Sequence, residues 1–127
     1  MKKILVAEDI DSNFILMTYI LKKYYAYERA RNGKEAVDMV DNSTYDMVLM
    51  DIKMPVMDGL EATKAIREKH PDLPVIALTA NAFDSDRQLA ILAGCNDFLS
   101  KPVSSDLCLK TIRKFLEIGR ASCRERV

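Results

Sequence analysis

Short runs of consecutive apolar residues alternate along this chain with longer segments in which apolar residues recur every three or four positions. An uninterrupted apolar run predicts a strand buried on both faces, whereas the longer period predicts an amphipathic helix. The predicted strands comprise residues 4–7, 27–31, 47–50, 75–78 and 98–99. Segment 27–31 is more polar than the others, which indicates a strand near a sheet edge. Five strand–helix alternations with short loops predict an α/β fold in three layers, a doubly wound five-stranded parallel sheet with five helices on its two faces.

The first predicted helix carries apolar residues on more than one side. Asp11 or Ser12 is placed to cap it. The inward stripe is expected at Leu16, Met17, Ile20, Leu21 and Tyr24. Phe14 and Ile15 fall off this stripe, near the point where the first strand ends. We interpret this pair as a partner-binding surface; the alternatives are ordinary exposure and local packing under a neighbouring loop.

The later helices have recognisable ends. Asp58 and Glu61 form a capping box at the start of the third helix, and Gly94 follows the fourth helix at the position where glycine commonly ends one. Ser104 or Ser105 caps the last helix. The inward positions expected in the second, third and fifth helices are Ala36, Val37, Val40, Leu60, Thr63, Ala65, Ile66, Leu107, Cys108, Thr111, Ile112, Phe115 and Leu116.

Composition argues against several classes of function for this chain of 127 residues, which has the length of one domain. Nineteen basic residues balance nineteen acidic ones, so nucleic acid is not an expected partner. No apolar run is long enough to span a bilayer, and Met1-Lys2-Lys3 leads directly into a strand. We therefore expect no signal peptide, no membrane contact by this domain and a cytoplasmic location. Cys95, Cys108 and Cys123 lack the spacing of a disulfide framework or a zinc site.

Polar side chains follow four of the predicted strands at the point where each strand ends. Glu8 and Asp9 follow the first strand, and Asp51 follows the third. Thr79 ends the fourth strand and Lys101 follows the fifth. Because the carboxyl ends of parallel strands meet at one edge of the sheet, we expect these five groups to share a crevice. A single aspartate or lysine at such a position is commonly structural, but five together indicate a functional site.

The five groups suit phosphoryl transfer. Three crowded carboxylates repel one another, so at least one pKa should be raised in the metal-free protein. Oxygen donors without histidine or cysteine favour a hard cation, Mg²⁺ or alternatively Mn²⁺. Lys101 and Thr79 can both contact a phosphoryl oxygen, and phosphoryl transfer depends mainly on positioning and charge neutralisation. Asp51 would then be the nucleophile and would form an acyl phosphate.

Four motifs together resemble one known family. They are Ile4-Leu5-Val6-Ala7-Glu8-Asp9, Leu49-Met50-Asp51-Ile52-Lys53-Met54-Pro55 with Asp58-Gly59, Ala77-Leu78-Thr79-Ala80-Asn81-Ala82, and Asp97-Phe98-Leu99-Ser100-Lys101-Pro102. With these motifs the chain resembles the receiver domain of two-component response regulators over residues 2–118. Segments 9–13 and 78–82 are most similar to the receivers of hybrid sensor histidine kinases.

The resemblance implies a strand order of 2-1-3-4-5 and a set of roles. Asp51 would accept a phosphoryl group from the phosphohistidine of a histidine kinase or a histidine phosphotransfer domain. The implied metal ligands are Glu8, Asp9, Asp51 and the backbone carbonyl of Lys53. Thr79 and Phe98 would form the switch pair that changes conformation on phosphorylation and controls a partner or output domain. A cis Lys101–Pro102 bond is also implied.

Two other functions deserve comparison with the receiver. A phosphatase of the haloacid dehalogenase kind also uses a strand-end aspartate, but it needs a second aspartate where this chain has Lys53. A flavodoxin-like binding module would place a flavin phosphate against the three carboxylates, which would repel it. A degenerate, partner-docking receiver is a milder alternative, although every key residue is present. Glu8 stands where aspartate is commoner in the family, and Phe98 stands where tyrosine is frequent.

The receiver-like pattern ends near Gly119. Residues 119–127 show no apolar period, and we interpret them as a tail of cloning origin or without fixed structure. The sequence contains no Gly-x-x-x-x-Gly-Lys loop, so we expect the phosphoryl donor and the output to lie outside this domain. As a fragment the domain is not expected to be a conventional turnover enzyme.

Overall fold

Five parallel strands form the centre of the computed structural model, which describes residues 2–80 and 84–118. The strands are β1 (Lys3–Ala7), β2 (Ala26–Ala30), β3 (Met47–Asp51), β4 (Val75–Thr79) and β5 (Asp97–Ser100). They pair in the order β2-β1-β3-β4-β5, which confirms the predicted doubly wound sheet and the strand order. The predicted tail, residues 119–127, and motif residues Asn81 and Ala82 lie outside the described residues.

Five helices connect or follow the strands. They are α1 (Asp11–Leu21), α2 (Gly33–Asn42), α3 (Gly59–Lys69), α4 (Asp84–Ala93) and α5 (Ser105–Arg113), after which a π-helical turn runs over Lys114–Ile118. Asn32, Asp58 and Ser104 cap α2, α3 and α5, since each side chain accepts a hydrogen bond from the backbone N–H three residues later. Gly94 follows α4 with φ +112°, a conformation that L side chains rarely adopt.

The core has two layers, one on each face of the sheet. Ile4 and Val6 of β1 belong to the layer beneath α1 and α5, and Leu5 and Ala7 belong to the layer beneath α2, α3 and α4. All four of these residues are fully buried. Burial on both faces explains why the central strands are continuous apolar runs rather than alternating ones.

The start of α1 differs from the prediction that Asp11 or Ser12 caps it. The N-cap residue is Ile10, which makes no side-chain capping bond. Asp11 is the first helical residue, and its carboxylate pairs instead with Arg29 at 2.8 Å. The predicted cap is therefore wrong because a cation on the neighbouring strand binds this carboxylate.

The buried stripe of α1 is narrower than predicted. Its buried residues are Met17, Ile20 and Leu21. Leu16 is 41% exposed, and Tyr24 is 48% exposed because the helix ends before it. In α3, Ala62 is fully buried although it was not predicted to face inward. In α5, Leu107 was predicted to face inward but is exposed, and the first α5 residue in the core is Cys108.

Within residues 2–80 and 84–118, every helix is too short or too polar to cross a bilayer.

Candidate functional site

The ends of four strands bring the predicted site residues to one edge of the sheet. The register pairs Ala7 with Met50, so Glu8 follows β1 beside the end of β3, where Asp51 is the last residue. Thr79 pairs with Ser100, so Lys101 follows β5 at the same edge. A crevice of about 230 Å³ is lined by Asp51, Thr79 and Lys101, together with Lys53.

Lys101 joins two carboxylates in this crevice. Its Nζ lies 2.8 Å from Glu8 Oε1 and 3.0 Å from Asp51 Oδ2. Its backbone N–H donates to the carbonyl of Thr79 at 2.8 Å, which holds the segment after β5 against the end of β4. The Lys101–Pro102 bond is cis, as the resemblance implied. Glu8, Asp51 and Thr79 are buried.

The pKa values of Glu8 and Lys101 are both raised in this crevice. Burial raises the pKa of the Glu8 carboxyl, and its hydrogen bond with Asp51 raises it further, while Lys101 partly opposes both effects. Burial alone would lower the pKa of the Lys101 ammonium, but hydrogen bonds to Glu8 and Asp51 outweigh that effect and raise it. The sequence-based expectation of a raised carboxyl pKa is met at Glu8.

The acidic cluster fits a small divalent cation. Carboxylate oxygens of Glu8, Asp9 and Asp51 lie within 4.8 Å of one another. Asp9 Oδ1 is buried, and none of the described residues hydrogen-bonds to it. With Lys101 as counterion, three ionised carboxylates leave an excess of two negative charges. Oxygen donors with this charge suit a hard cation such as Mg²⁺.

Two glycines fix the loop that follows Asp51. The backbone N–H of Gly59 donates to the Ile52 carbonyl at 2.7 Å, and a Cβ there would lie 2.1 Å from the Asp51 carbonyl oxygen. The N–H of Gly33 donates to the Met57 carbonyl at 2.9 Å, where a Cβ would lie 2.2 Å from the same oxygen. The starts of α2 and α3 therefore approach this loop more closely than a side chain would allow.

Lys53 contacts Asp51 through its backbone, whereas Phe98 packs against the core nearby. The backbone N–H of Lys53 is 3.3 Å from Asp51 Oδ1, and its side chain is exposed. Phe98 is partly buried against the layer beneath α2, α3 and α4, with the Arg87 guanidinium 5.3 Å from its ring centroid. The metal role of the Lys53 carbonyl and the switch role of Thr79 and Phe98 remain predictions.

Phe14 does not have the exposure expected of a partner surface. It is partly buried against the core, with its ring edge-on to Tyr27 at a centroid distance of 6.1 Å. The Arg29 guanidinium lies 4.7 Å from the centroid of the same ring. The expectation that Phe14 lies off the core is therefore wrong, because side chains of β2 cover it, whereas Ile15 is 51% exposed as expected.

The contacts of Arg29 with the loop after β1 were not predicted from the sequence. Its Nε donates to the Glu8 carbonyl at 3.0 Å, in addition to the ion pair with Asp11. A two-residue alternation in β2 places Tyr27 and Arg29 on one face of the sheet, the face that Phe14 covers. That alternation could have indicated that Arg29 and Phe14 lie on the same face, but the polar character of the segment obscured it.

A family model described as the response regulator receiver domain matches residues 4–113. The chain belongs to this family. Hybrid signal transduction histidine kinase B of Dictyostelium discoideum is 42% identical over 130 residues, covering 91% of this chain and 7% of that protein. The aerobic respiration control sensor protein ArcB of Escherichia coli is 39% identical over 116 residues, covering 88% of this chain and 15% of that protein. The receiver spans 5–8% of the three hybrid kinases first matched.

Solved receiver structures share the fold. A chain in the co-crystal structure of the Saccharomyces cerevisiae histidine phosphotransfer protein Ypd1 with the receiver domain of Ssk1 matches with a TM-score of 0.86 at 31% identity, covering 91% of this chain and 88% of that one. The receiver domain of sensor histidine kinase PA1611 from Pseudomonas aeruginosa, described with magnesium in its active site cleft, matches with a TM-score of 0.85 at 34% identity. The match covers 91% of this chain and 97% of the PA1611 receiver domain.

Proposed function

We propose that Asp51 of this receiver accepts a phosphoryl group from the phosphohistidine of a histidine kinase or a histidine phosphotransfer domain. The observation that carries the proposal is the placement of Asp51. Its carboxylate ends the central strand in a crevice, clustered with Glu8 and Asp9 and paired with Lys101. Membership of the receiver family and the acidic cluster at this edge of the sheet both support phosphoryl transfer to Asp51.

The transfer is a substitution at phosphorus. A lone pair of an Asp51 carboxylate oxygen forms the new O–P bond while the N–P bond of the phosphohistidine breaks. The bonding pair remains on the imidazole nitrogen, and the product is an acyl phosphate on Asp51. The backbone and side-chain bonds around Asp51 hold its carboxylate in the crevice, so little reorganisation precedes the attack.

Charge neutralisation is the main task of the surrounding residues. Mg²⁺, held by Glu8, Asp9 and Asp51 with the Lys53 carbonyl, would neutralise charge on the phosphoryl oxygens, and Mn²⁺ suits the same donors. The Lys101 ammonium lies 3.0 Å from Asp51 Oδ2, within reach of a group attached to this carboxylate. This ammonium is the second cationic group beside the phosphoryl oxygens, in addition to the metal ion.

Thr79 and Phe98 form the switch pair of this proposal. The Thr79 hydroxyl, on the wall of the same crevice, donates a hydrogen bond to the phosphoryl oxygen. Movement of Thr79 toward the phosphoryl group changes the packing of Phe98 on the next strand. The altered surface then controls a partner or output domain.

The matched relatives support a phosphohistidine-bearing protein as the donor. The relatives include hybrid signal transduction histidine kinases, and the Ypd1 co-crystal contains a histidine phosphotransfer protein together with a receiver domain; both support such a donor here. Exposed Ile15, one turn into α1 from the acidic loop, is the residue of the predicted Phe14–Ile15 pair that remains available to dock it. The wider assembly, in which this receiver is one part of a hybrid kinase, belongs to the same proposal.

Intact-mass spectrometry with acetyl phosphate and Mg²⁺ tests the proposal. The wild-type protein should gain one phosphoryl group and Asp51→Asn should gain none, since the amide is not a competent nucleophile. Asp58→Asn is the matched control: Asp58 accepts the capping bond of Glu61, and asparagine caps a helix equally well. It should be labelled like the wild type. Full labelling of Asp51→Asn would refute the assignment.

A further inference from the structure

Arg29 connects the edge strand β2 to the loop that carries Glu8 and Asp9. Its Nε donates to the Glu8 carbonyl at 3.0 Å, and its NH1 lies 2.8 Å from Asp11 Oδ1. Because Arg29 pairs with Val6 in the register, its long side chain reaches past the end of β1 onto this loop. One guanidinium therefore holds both ends of residues 8–11.

Within the described part of the chain, Lys101 binds the Glu8 side chain of this loop, and few other backbone N–H groups of the loop are hydrogen-bonded. The N–H of Glu8 donates to the Ala30 carbonyl at 3.0 Å, and the N–H of Ile10 lies 3.3 Å from Glu8 Oε2. Ile10 occupies the N-cap position of α1 and cannot cap the helix with its side chain. The ion pair of Arg29 with Asp11 fastens the first turn of α1 where a capping bond is missing.

Packing restricts the guanidinium in this position. It lies 4.7 Å from the ring centroid of Phe14, which itself packs edge-on against Tyr27. Only 13% of the Arg29 side chain is exposed. A planar, permanently charged fork stacked on an aromatic ring loses little freedom when it forms two hydrogen bonds.

We propose that Arg29 is a positioning residue, which holds the loop so that Glu8 and Asp9 meet Asp51 around the divalent cation. This inference rests on the proposed function, because it presupposes the metal site. Asp9 Oδ1 is buried without a hydrogen-bond partner among the described residues, so within that part of the chain its position depends on the backbone of this loop. Partners that orient metal ligands typically change metal affinity 10–100-fold when they are removed.

Charge and position have opposite effects on cation binding, which makes the role testable. If Arg29 acted only through its charge, removing it would relieve repulsion and strengthen Mg²⁺ binding. If Arg29 positions the loop, its removal lets Glu8 and Asp9 move and weakens binding. We expect Arg29→Ala to raise the Mg²⁺ dissociation constant by roughly tenfold.

The experiment is a calorimetric titration of the purified chain with MgCl₂, combined with amide hydrogen exchange of residues 8–11 in metal-free protein. Arg31→Ala is the matched control, because Arg31 also pairs with Asp11, at 3.5 Å, but its side chain is 63% exposed. It should bind Mg²⁺ as tightly as the wild type or slightly more tightly. Arg29→Lys keeps the charge without the planar fork and should bind more weakly, with faster exchange of the loop amides.

The outcomes separate this inference from the proposed function. Wild-type Mg²⁺ binding together with unchanged or stronger binding by Arg29→Ala and Arg29→Lys would overturn the positioning role alone. If Arg29→Ala does not fold, Arg29→Lys decides, since it retains the ion pair with Asp11. A wild-type protein that binds no Mg²⁺ would overturn the proposed metal site, and the positioning role with it.

Discussion

At the scale of single residues, the loop after Asp51 stores backbone strain at Val56. Its φ is +68°, in the left-handed region that a β-branched side chain rarely adopts, and its side chain is 79% exposed. The N–H of Met57 donates to the Pro55 carbonyl at 2.7 Å, which closes a tight turn around Val56. No large apolar burial compensates for this conformation, so its cost falls on the stability of the fold.

Val56→Asn should therefore stabilise the protein. Asparagine tolerates the left-handed region, and we expect the free energy of unfolding to rise by about 1 kcal/mol. Urea unfolding followed by circular dichroism measures this change. Val56→Ala is the control, because it removes the same exposed side chain but keeps a residue that disfavours positive φ. Equal stability of the two variants would show that the strain at Val56 is negligible.

The clustering of the site residues was the most predictable feature at this scale. Glu8, Asp51 and Lys101 follow strands that are clear from their apolar runs, so topology alone brings them to one edge. What topology could not supply is the pairing, in which a single ammonium joins both carboxylates. Nor could it supply the contacts of Arg29, because these depend on a side chain that crosses from a neighbouring strand.

At the scale of elements, α1 shows where periodicity fails. Apolar residues occupy several sides of this helix, so no single stripe can be chosen from the sequence. Phe14 is partly buried because Tyr27 and Arg29 of β2 cover it, a tertiary contact that helical spacing does not contain. Strands β1, β3 and β4 were predicted reliably, since uninterrupted burial leaves an uninterrupted apolar run.

The two residues of the predicted partner surface should behave differently when they are changed. Phe14→Ser removes a ring packed on the core and should lower the melting temperature, whereas exposed Ile15→Ser should leave it nearly unchanged. If Ile15 docks the donor, Ile15→Ser should slow phosphoryl transfer from a phosphohistidine protein but spare labelling by acetyl phosphate.

Single-turnover transfer assays and thermal melts give both readouts for Phe14→Ser and Ile15→Ser. Tyr19→Ser is a useful comparison, since Tyr19 lies on the same helix and is 65% exposed. Equal loss of both labelling routes in Ile15→Ser would show that the residue supports the fold rather than a partner.

At the scale of the whole molecule, the fold should lose stability at alkaline pH through Tyr45. Burial raises the pKa of the Tyr45 hydroxyl to about 12, and its hydrogen bond to Glu28 contributes. In the unfolded chain this hydroxyl loses its proton near its ordinary pKa of 10.0. The folded state thus holds the proton more tightly, and the stability that Tyr45 contributes is present below pH 10 and is lost between about pH 10 and 12.

Urea midpoints measured from pH 9 to pH 12 test this dependence. The wild-type midpoint should fall more steeply than that of Tyr45→Phe, which cannot ionise. The difference between the two curves isolates Tyr45 from the lysines and the other tyrosines that titrate in the same range. Parallel curves would contradict the assignment of the raised pKa.

In the proposed reaction the carboxylate of Asp51 becomes an acyl phosphate, and chemical mapping identifies the modified residue. The protein is phosphorylated by a phosphohistidine donor with Mg²⁺, reduced with borohydride and digested for tandem mass spectrometry. Reduction converts an aspartyl phosphate to homoserine and leaves free carboxylates intact. Homoserine at position 51 that is absent without the donor is the predicted result. An intact Asp51 with homoserine at position 9 or 58, or with 2-amino-5-hydroxypentanoic acid at position 8, would contradict it.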